Sequence, residues 1–260
     1  MSASSDAKRA VISLSGARAA YVGPGLDLAP HRNAAATLAI ALERPFELSF
    51  PTGRAPHAGR QAGRIALIAP GVLHHLRAHG DMAFVYLDAL SDAHAALAAL
   101  DLQAACAELV AQEPGAVRGL GVDGLCAALR VPSRGPVDAR IARVVRLLDE
   151  RPQDVRDVVE AASLAGLSAS RFQALLRRAV GMPFRRYRLW RRMAVAVLAV
   201  DRGRALTQAA HDSGFASSAH LSTTFKAMFG LSPSRLVALG ARVEAGGAAA
   251  APRGPIRSGR

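Results

Sequence analysis

The feature that most constrains this chain is an internal repeat in its second half. Phe172-Gln-Ala-Leu-Leu176-Arg177…Val180-Gly181 matches Leu221-Ser-Thr-Thr-Phe225-Lys226…Phe229-Gly230 at an offset of 49 residues. Just upstream, Ala162…Gly166 matches Ala210…Gly214 at an offset of 48. In each copy an alanine stands four residues before a glycine, and an apolar residue follows the glycine: Leu167 or Phe215. A small alanine lets two helices approach closely, and glycine adopts the positive φ of a tight turn between them. That is the chemistry of a helix-turn-helix, present twice.

The second helix of each copy divides into two faces. Phe172, Leu175, Leu176 and Ala179 form one apolar stripe, and Leu221, Phe225, Met228 and Phe229 form the other. The opposite face presents Ala169, Ser170, Gln173, Ala174 and Arg177 in the first copy, and Ser218, Ala219, Ser222, Thr223 and Lys226 at the equivalent positions of the second. Such a face fits a major groove: Ser, Thr and Gln meet base edges, Ala touches a thymine methyl, and a terminal cation reaches phosphate or guanine. A polar outer face is common to all amphipathic surface helices. Its duplication together with the Ala/Gly turn is what favours groove insertion.

Periodicity predicts helices over 137–150, 155–165, 168–180, 183–201, 205–213, 217–229 and 233–239. Pro183 and Pro233 suit first helical turns, and Gly181 and Gly230 suit helix ends. The span 183–201 would reach about 28 Å at ~1.5 Å per residue, near the ~34 Å between successive major grooves on one face of a duplex. Its Arg185, Arg186, Arg188, Arg191 and Arg192 crowd one end, some expected to be solvated and others to contact phosphate. Trp190 and Met193 are expected to pack between the two subdomains.

The first half has a different texture. Phe46–Phe50 alternates apolar and polar, and 64–69, 72–78 and 82–88 are similar short runs punctuated by Pro/Gly turns. These predict a small antiparallel sheet or barrel. Residues 95–112 and 121–129 then read as helices, and Pro132–Pro136 as a linker. The expected organisation is α+β: a β domain over 1–91, a helical segment over 92–135, an all-α domain over 136–240, and a disordered basic tail over 241–260.

Charge follows this division. The 33 Lys+Arg against 20 Asp+Glu give +13. Residues 1–135 hold 12 basic and 11 acidic, 136–240 hold 17 and 8, and 241–260 hold 4 and 1. A GC-rich genome would explain the preference for arginine over lysine, but not the concentration of the excess in the helical half, where a polyanion would be met. No apolar run approaches the ~20 residues of a bilayer crossing, and a signal peptide is not expected. Cys106 and Cys126 lie in helical patterns and suit a reducing compartment, so a cytoplasmic, nucleoid-associated protein is expected.

The run from about Asp138 to Leu236 resembles the DNA-binding domain of the AraC/XylS family of bacterial transcription regulators. The second copy carries most of the resemblance: Leu206-Thr-Gln-Ala-Ala-His-Asp-Ser-Gly-Phe215 through Gly230-Leu-Ser-Pro-Ser-Arg235. It implies two helix-turn-helix subdomains joined by a long helix and reading adjacent major-groove segments of promoter DNA. Carried over by position, it implies base-reading roles for Ser170, Gln173, Ala174, Ser218, Ala219, Ser222 and Thr223. Phosphate contacts are implied for Ser168, Arg171, Arg177, Ser217, His220 and Lys226. Many reading positions are small here, which thins direct readout in the second copy.

Residues 65–75 with the following strand are similar to the cupin-like sensor domain that many members of the family carry, followed by dimerisation helices. The resemblance thus implies a small-molecule effector, a homodimer, and contact with RNA polymerase if the protein activates. His57, His74, His75 and His79 are the candidates for an effector or metal site. Adjacent His74 and His75 point to opposite faces of a strand, and no His-x-His with a following Glu is present, which argues against a metal. No cofactor is expected. The competing classes are a cupin-type metal-dependent enzyme and a non-specific nucleic-acid binder. The first lacks a metal triad, and neither cysteine has a nearby His or any serine a nucleophile elbow. A DNA-repair methyl acceptor would need a zinc-cysteine cluster that is missing.

Overall fold

The computed structural model describes residues 9–51, 60–87, 102–131 and 137–245. Among these residues nine strands come first: β1 (Val11–Ser15), β2 (Arg18–Gly23), β3 (Asp27–His31), β4 (Ala36–Ala41), β5 (Phe46–Ser49), β6 (Gln61–Gly63), β7 (Ile65–Ile68), β8 (His74–Arg77) and β9 (Met82–Leu87). Three helices follow: α1 (Leu102–Val110), α2 (Pro114–Gly119) and α3 (Gly121–Ala128). The carboxy-terminal half consists of α4 (Ala139–Glu150), α5 (Val158–Ala165), α6 (Ala169–Val180), α7 (Phe184–Asp201), α8 (Leu206–Asp212), α9 (Ser218–Phe229) and α10 (Pro233–Ala238), and ends in β10 (Arg242–Ala245). The chain is therefore α+β, with β strands and helices in its first half and helices dominating its second. The expected linker at 132–136 and the start of the helix expected at 95–112 lie outside the described residues.

The strands form two sheets, ordered β10-β1-β2-β9-β4-β7 and β3-β8-β5-β6. Every pairing is antiparallel except β1 with β10. The inner strands of the larger sheet are buried on both faces. Val22, Leu38, Ile40, Val85 and Leu87 pack with Cys106, Leu109, Leu125 and Leu129 of α1, α3 and the residue after it. Their alternates, including Tyr21, Ala39, Met82, Phe84 and Tyr86, belong to a second core. That core takes in Leu28, Phe46, Leu48 and Leu76 of the smaller sheet. It also takes in Trp190, Met193, Phe225 and Met228 of the helical half.

The two halves thus share apolar packing. Tyr86, Trp190 and Phe229 form a ring cluster, with centroids 5.7–5.9 Å apart. Trp190 and Met193 pack between a helix-turn-helix and the β half, not only between the two helical subdomains. Main-chain bonds add to this: Ala29 N–H donates to the Gly230 carbonyl at 2.9 Å and Arg32 N–H to the Ala227 carbonyl at 3.1 Å. The expectation of a disordered tail from 241 is corrected at its start. Arg242–Ala245 pairs in parallel with Val11–Leu14, because the chain leaving α10 meets the open edge of β1. Residues 246–260 lie outside the described residues.

Candidate nucleic-acid interface

Each repeat is an α-helix, a short turn and a second α-helix: α5–α6 and α8–α9. The recurring Ala-x3-Gly-apolar pattern has a specific geometry. Gly166 (φ +65°) and Gly214 (φ +76°) are in the left-handed region. Beyond them, Leu167 N–H reaches back to the Ala162 carbonyl at 3.0 Å, and Phe215 N–H to the Ala210 carbonyl at 2.8 Å. This closure satisfies an otherwise orphaned helix-end carbonyl and aims the next helix. Ala162 and Ala210 are buried, where a larger side chain would hold the paired helices apart.

Each second helix begins at a serine N-cap. Ser168 Oγ accepts from Arg171 N–H at 3.4 Å, and Ser217 Oγ from His220 N–H at 3.1 Å. Each ends at a left-handed glycine, Gly181 or Gly230, both at φ +74°. Phe172, Leu176, Leu221, Phe225 and Met228 are buried, and Leu175 and Phe229 are partly buried against them.

The outer faces remain open. Ser170, Ala174, Arg171 and Arg177 are exposed on α6, and Gln173 is half-buried. On α9, Ala219, Thr223, His220 and Lys226 are exposed, and Ser218 and Ser222 are half-buried. Ser168 and Ser217 are exposed at the two N-caps. Ala169 differs from the outer-face reading: it packs against the core. The His220 ring stands edge-on to Phe215, with centroids 5.4 Å apart.

The arginines of α7 divide by role, which charge alone did not reveal. Arg191 pairs through Nε with Asp149 Oδ1 at 2.9 Å and donates to the carbonyls of Gly16 and Asp149. Arg188 Nε donates to the Pro152 carbonyl at 2.9 Å. Arg192 Nε donates to the Ser213 carbonyl at 2.8 Å, its Nη2 donates to the Gly214 carbonyl, and its guanidinium covers the Phe215 ring. Arg192 therefore holds the turn that sets α9. Arg143 does the same for the first copy, donating to the Leu164 carbonyl beside Gly166. Neither staple was identified from sequence. The guanidinium groups of Arg185 and Arg186 have no acceptor among the described residues.

The histidines expected to serve an effector fall elsewhere. His57 lies outside the described residues. His74 is 2% exposed and its ring lies tilted against that of His31, with centroids 4.2 Å apart, while its Nδ1 bonds the Val72 carbonyl. His75 bonds Asp27 Oδ1 at 3.0 Å, and His79 is exposed. Burial lowers the pKa of His74, and burial together with the His74 charge lowers His31 to about 4. Among the described residues no group of three or more His, Cys, Asp or Glu side chains is placed to hold a metal ion. Nor is any helix among them long and apolar enough to cross a membrane.

Residues 161–238 match the helix-turn-helix domain family. No curated protein sequence matches the chain. Among solved structures it is similar to ToxT from Vibrio cholerae in its P21 crystal form, at 13% identity and a TM-score of 0.49 over 85% of this chain and 97% of that one. It is similar also to ToxT from Vibrio cholerae O395 bound to (E)-4-(8-methylnaphthalen-1-yl)but-3-enoic acid. There the identity is 14% and the TM-score 0.48, over 85% of this chain and 97% of that one.

Proposed function

Since the carboxy-terminal region is a helix-turn-helix domain of the AraC/XylS type, we propose that the chain is a sequence-specific DNA-binding transcription regulator and not an enzyme. The observation that carries this reading is the duplication itself. Two serine-capped helices, each set by a left-handed glycine, turn a small and hydrogen-bonding face to solvent and carry a cation in the last turn. The 18-residue α7 between them spans about 27 Å, the scale of one duplex turn.

In this reading Ser170, Gln173, Ala174, Ser218, Ala219, Ser222 and Thr223 meet base edges. Arg171, Arg177, His220 and Lys226 reach phosphate, joined by Ser168 and Ser217 at the helix N-termini, where the positive end of the helix dipole favours an anion. In the same reading residues 1–91 are a β sensor, residues 92–135 supply helices that pair two copies, and residues 136–240 are the DNA-binding domain. The regulator works in the cytoplasm as a homodimer on promoter DNA, under a small-molecule effector held by the amino-terminal half, and engages RNA polymerase where it activates.

Selection of bound sequences from a random duplex pool, followed by footprinting, tests the reading. A recovered motif with two contact blocks about one helical turn apart is the expected result. Uniform affinity for all sequences, falling steeply with salt, would instead mark non-specific charge binding.

A further inference from the structure

A cleft of about 730 Å³ opens where the amino-terminal half, the start of α5 and the start of α7 meet. Its lining includes Arg32 and Asn33 from the β3–β4 connection, Arg156 ahead of α5, and Arg185, Arg186 and Arg188 from the first turns of α7. Arg192 also reaches it, so six arginines face a single acid, Asp157. The Asp157 carboxylate is already engaged, accepting the N–H groups of Val159 and Glu160 at 2.9 Å.

Three of the arginines are held in place without being neutralised. Arg32 donates to the Gly71 carbonyl at 2.6 Å, Arg188 to that of Pro152, and Arg192 to those of Ser213 and Gly214. Carbonyl oxygens orient a guanidinium but leave its charge standing. Only Arg156 has a carboxylate partner among the described residues, Glu160 at 3.5 Å. The α7 helix also starts at the cleft without a side-chain cap, and its positive dipole end adds to the field. In the far wall Asn33 is 3% exposed and donates through Nδ2 to Thr37 Oγ1 at 2.6 Å.

We propose that this cleft binds a small metabolite carrying two or more phosphate charges, of nucleotide size. Its volume lies within the range of small-ligand pockets. Guanidinium forks match phosphate oxygens in bidentate geometry. None of the α6 and α9 residues assigned to DNA lines the cleft; its α7 arginines, some of them expected from sequence to meet phosphate, face the amino-terminal half, which walls one side of it. A free anion therefore fits better than the backbone of a duplex. The ligand would bridge Arg32 to Arg185 and Arg186, tying the β half to the helix that joins both reading units. This deepens the effector part of the regulator reading and rests on it, and it moves the effector site from the interior of the β half to its junction with the helices.

Calorimetric titration of the full-length protein with inorganic triphosphate at fixed ionic strength tests the proposal. One saturable site is expected. Arg185→Ala with Arg186→Ala, and separately Arg32→Ala, weaken it about tenfold to a hundredfold, the loss of one or two charge-assisted hydrogen bonds. Arg177→Ala with Lys226→Ala leaves it within about twofold, and circular dichroism shows each variant folded. The proposal is overturned if triphosphate does not saturate, or if the Arg177/Lys226 variant loses as much as the cleft variants. It is overturned equally if a saturating duplex abolishes triphosphate binding, which would give the cleft to the DNA backbone. Footprinting of the wild-type protein keeps the two readings apart: an intact footprint without triphosphate binding sinks the cleft alone, and triphosphate binding without a footprint sinks the DNA reading.

Discussion

The Arg192 guanidinium lies 4.1 Å from the centroid of the Phe215 ring while its Nε holds the Ser213 carbonyl at 2.8 Å. One side chain from the connecting helix thereby covers the apolar residue of the second turn and ties down the main chain beside it. Burial, and next the charge of Arg188, lower its pKa, so the contact is made in a partly desolvated place where hydrogen bonds count for more. Arg192→Met keeps the stem and removes the fork. The expected cost is about 2–3 kcal/mol, from two charged hydrogen bonds and a cation–π contact. Urea unfolding measures it, and DNA affinity falls with it although Arg192 is not among the residues assigned to base reading.

Two glycines of the same left-handed conformation separate backbone strain from crowding. At Gly166 an added Cβ meets nothing within 4 Å, so Gly166→Ala costs only the conformational penalty of about 1 kcal/mol. At Gly230 the Cβ would stand 2.7 Å from His31 Nδ1, 2.8 Å from the Ala29 carbonyl oxygen and 2.9 Å from Leu28 Cβ. Gly230→Ala adds overpacking of about 1–3 kcal/mol to the same penalty and loosens α9 from β3. Equal unfolding midpoints for the two variants would contradict this contact.

Readers and anchors differ in how they fail. Gln173→Ala should relax preference at one base position by about 1–3 kcal/mol and spare the others. Arg177→Ala and Lys226→Ala should each weaken all sequences alike and reduce the salt slope by about one. Binding across a set of single-base operator variants at several salt concentrations resolves the two behaviours. A uniform loss for Gln173→Ala would remove it from the readers.

Stability should fall with acid. His31, with its folded pKa near 4, stays neutral in the folded chain while an unfolded histidine protonates near 6.5. The unfolded state thus binds more protons between those values. Stability is complete above about pH 6.5 and declines as the pH drops toward 4, by roughly 3 kcal/mol for a shift of this size. The shift of His74 has the same sign. Unfolding of the wild type and of His31→Asn from pH 7 to pH 4 checks the slope, which should be shallower in the variant.

The helical half was largely legible in the sequence. Its elements are amphipathic, their ends carry serine caps and glycine stops, and the duplication named the turn, so all seven predicted helices correspond to observed ones within three residues at each end. The first four strands were not legible. Ala36–Ala41 is buried at every position because helices cover one face of its sheet and the second core covers the other. A strand buried on both faces loses the alternation that identified Phe46–Ser49.

The amino-acid order alone determined the two reading units, their turns and the outward faces of their second helices, because helix periodicity and capping act over a few residues. Tertiary structure decided what the remaining charges do. Arg188, Arg191 and Arg192 form one run in the sequence, yet their acceptors are Pro152, Gly16 and Asp149, and Ser213 and Gly214. The strand at Arg242–Ala245 likewise exists because its partner, Val11–Leu14, lies at the opposite end of the chain. A hydrogen bond between residues so distant along the chain leaves no local pattern to read; it exists only once packing has brought the two together.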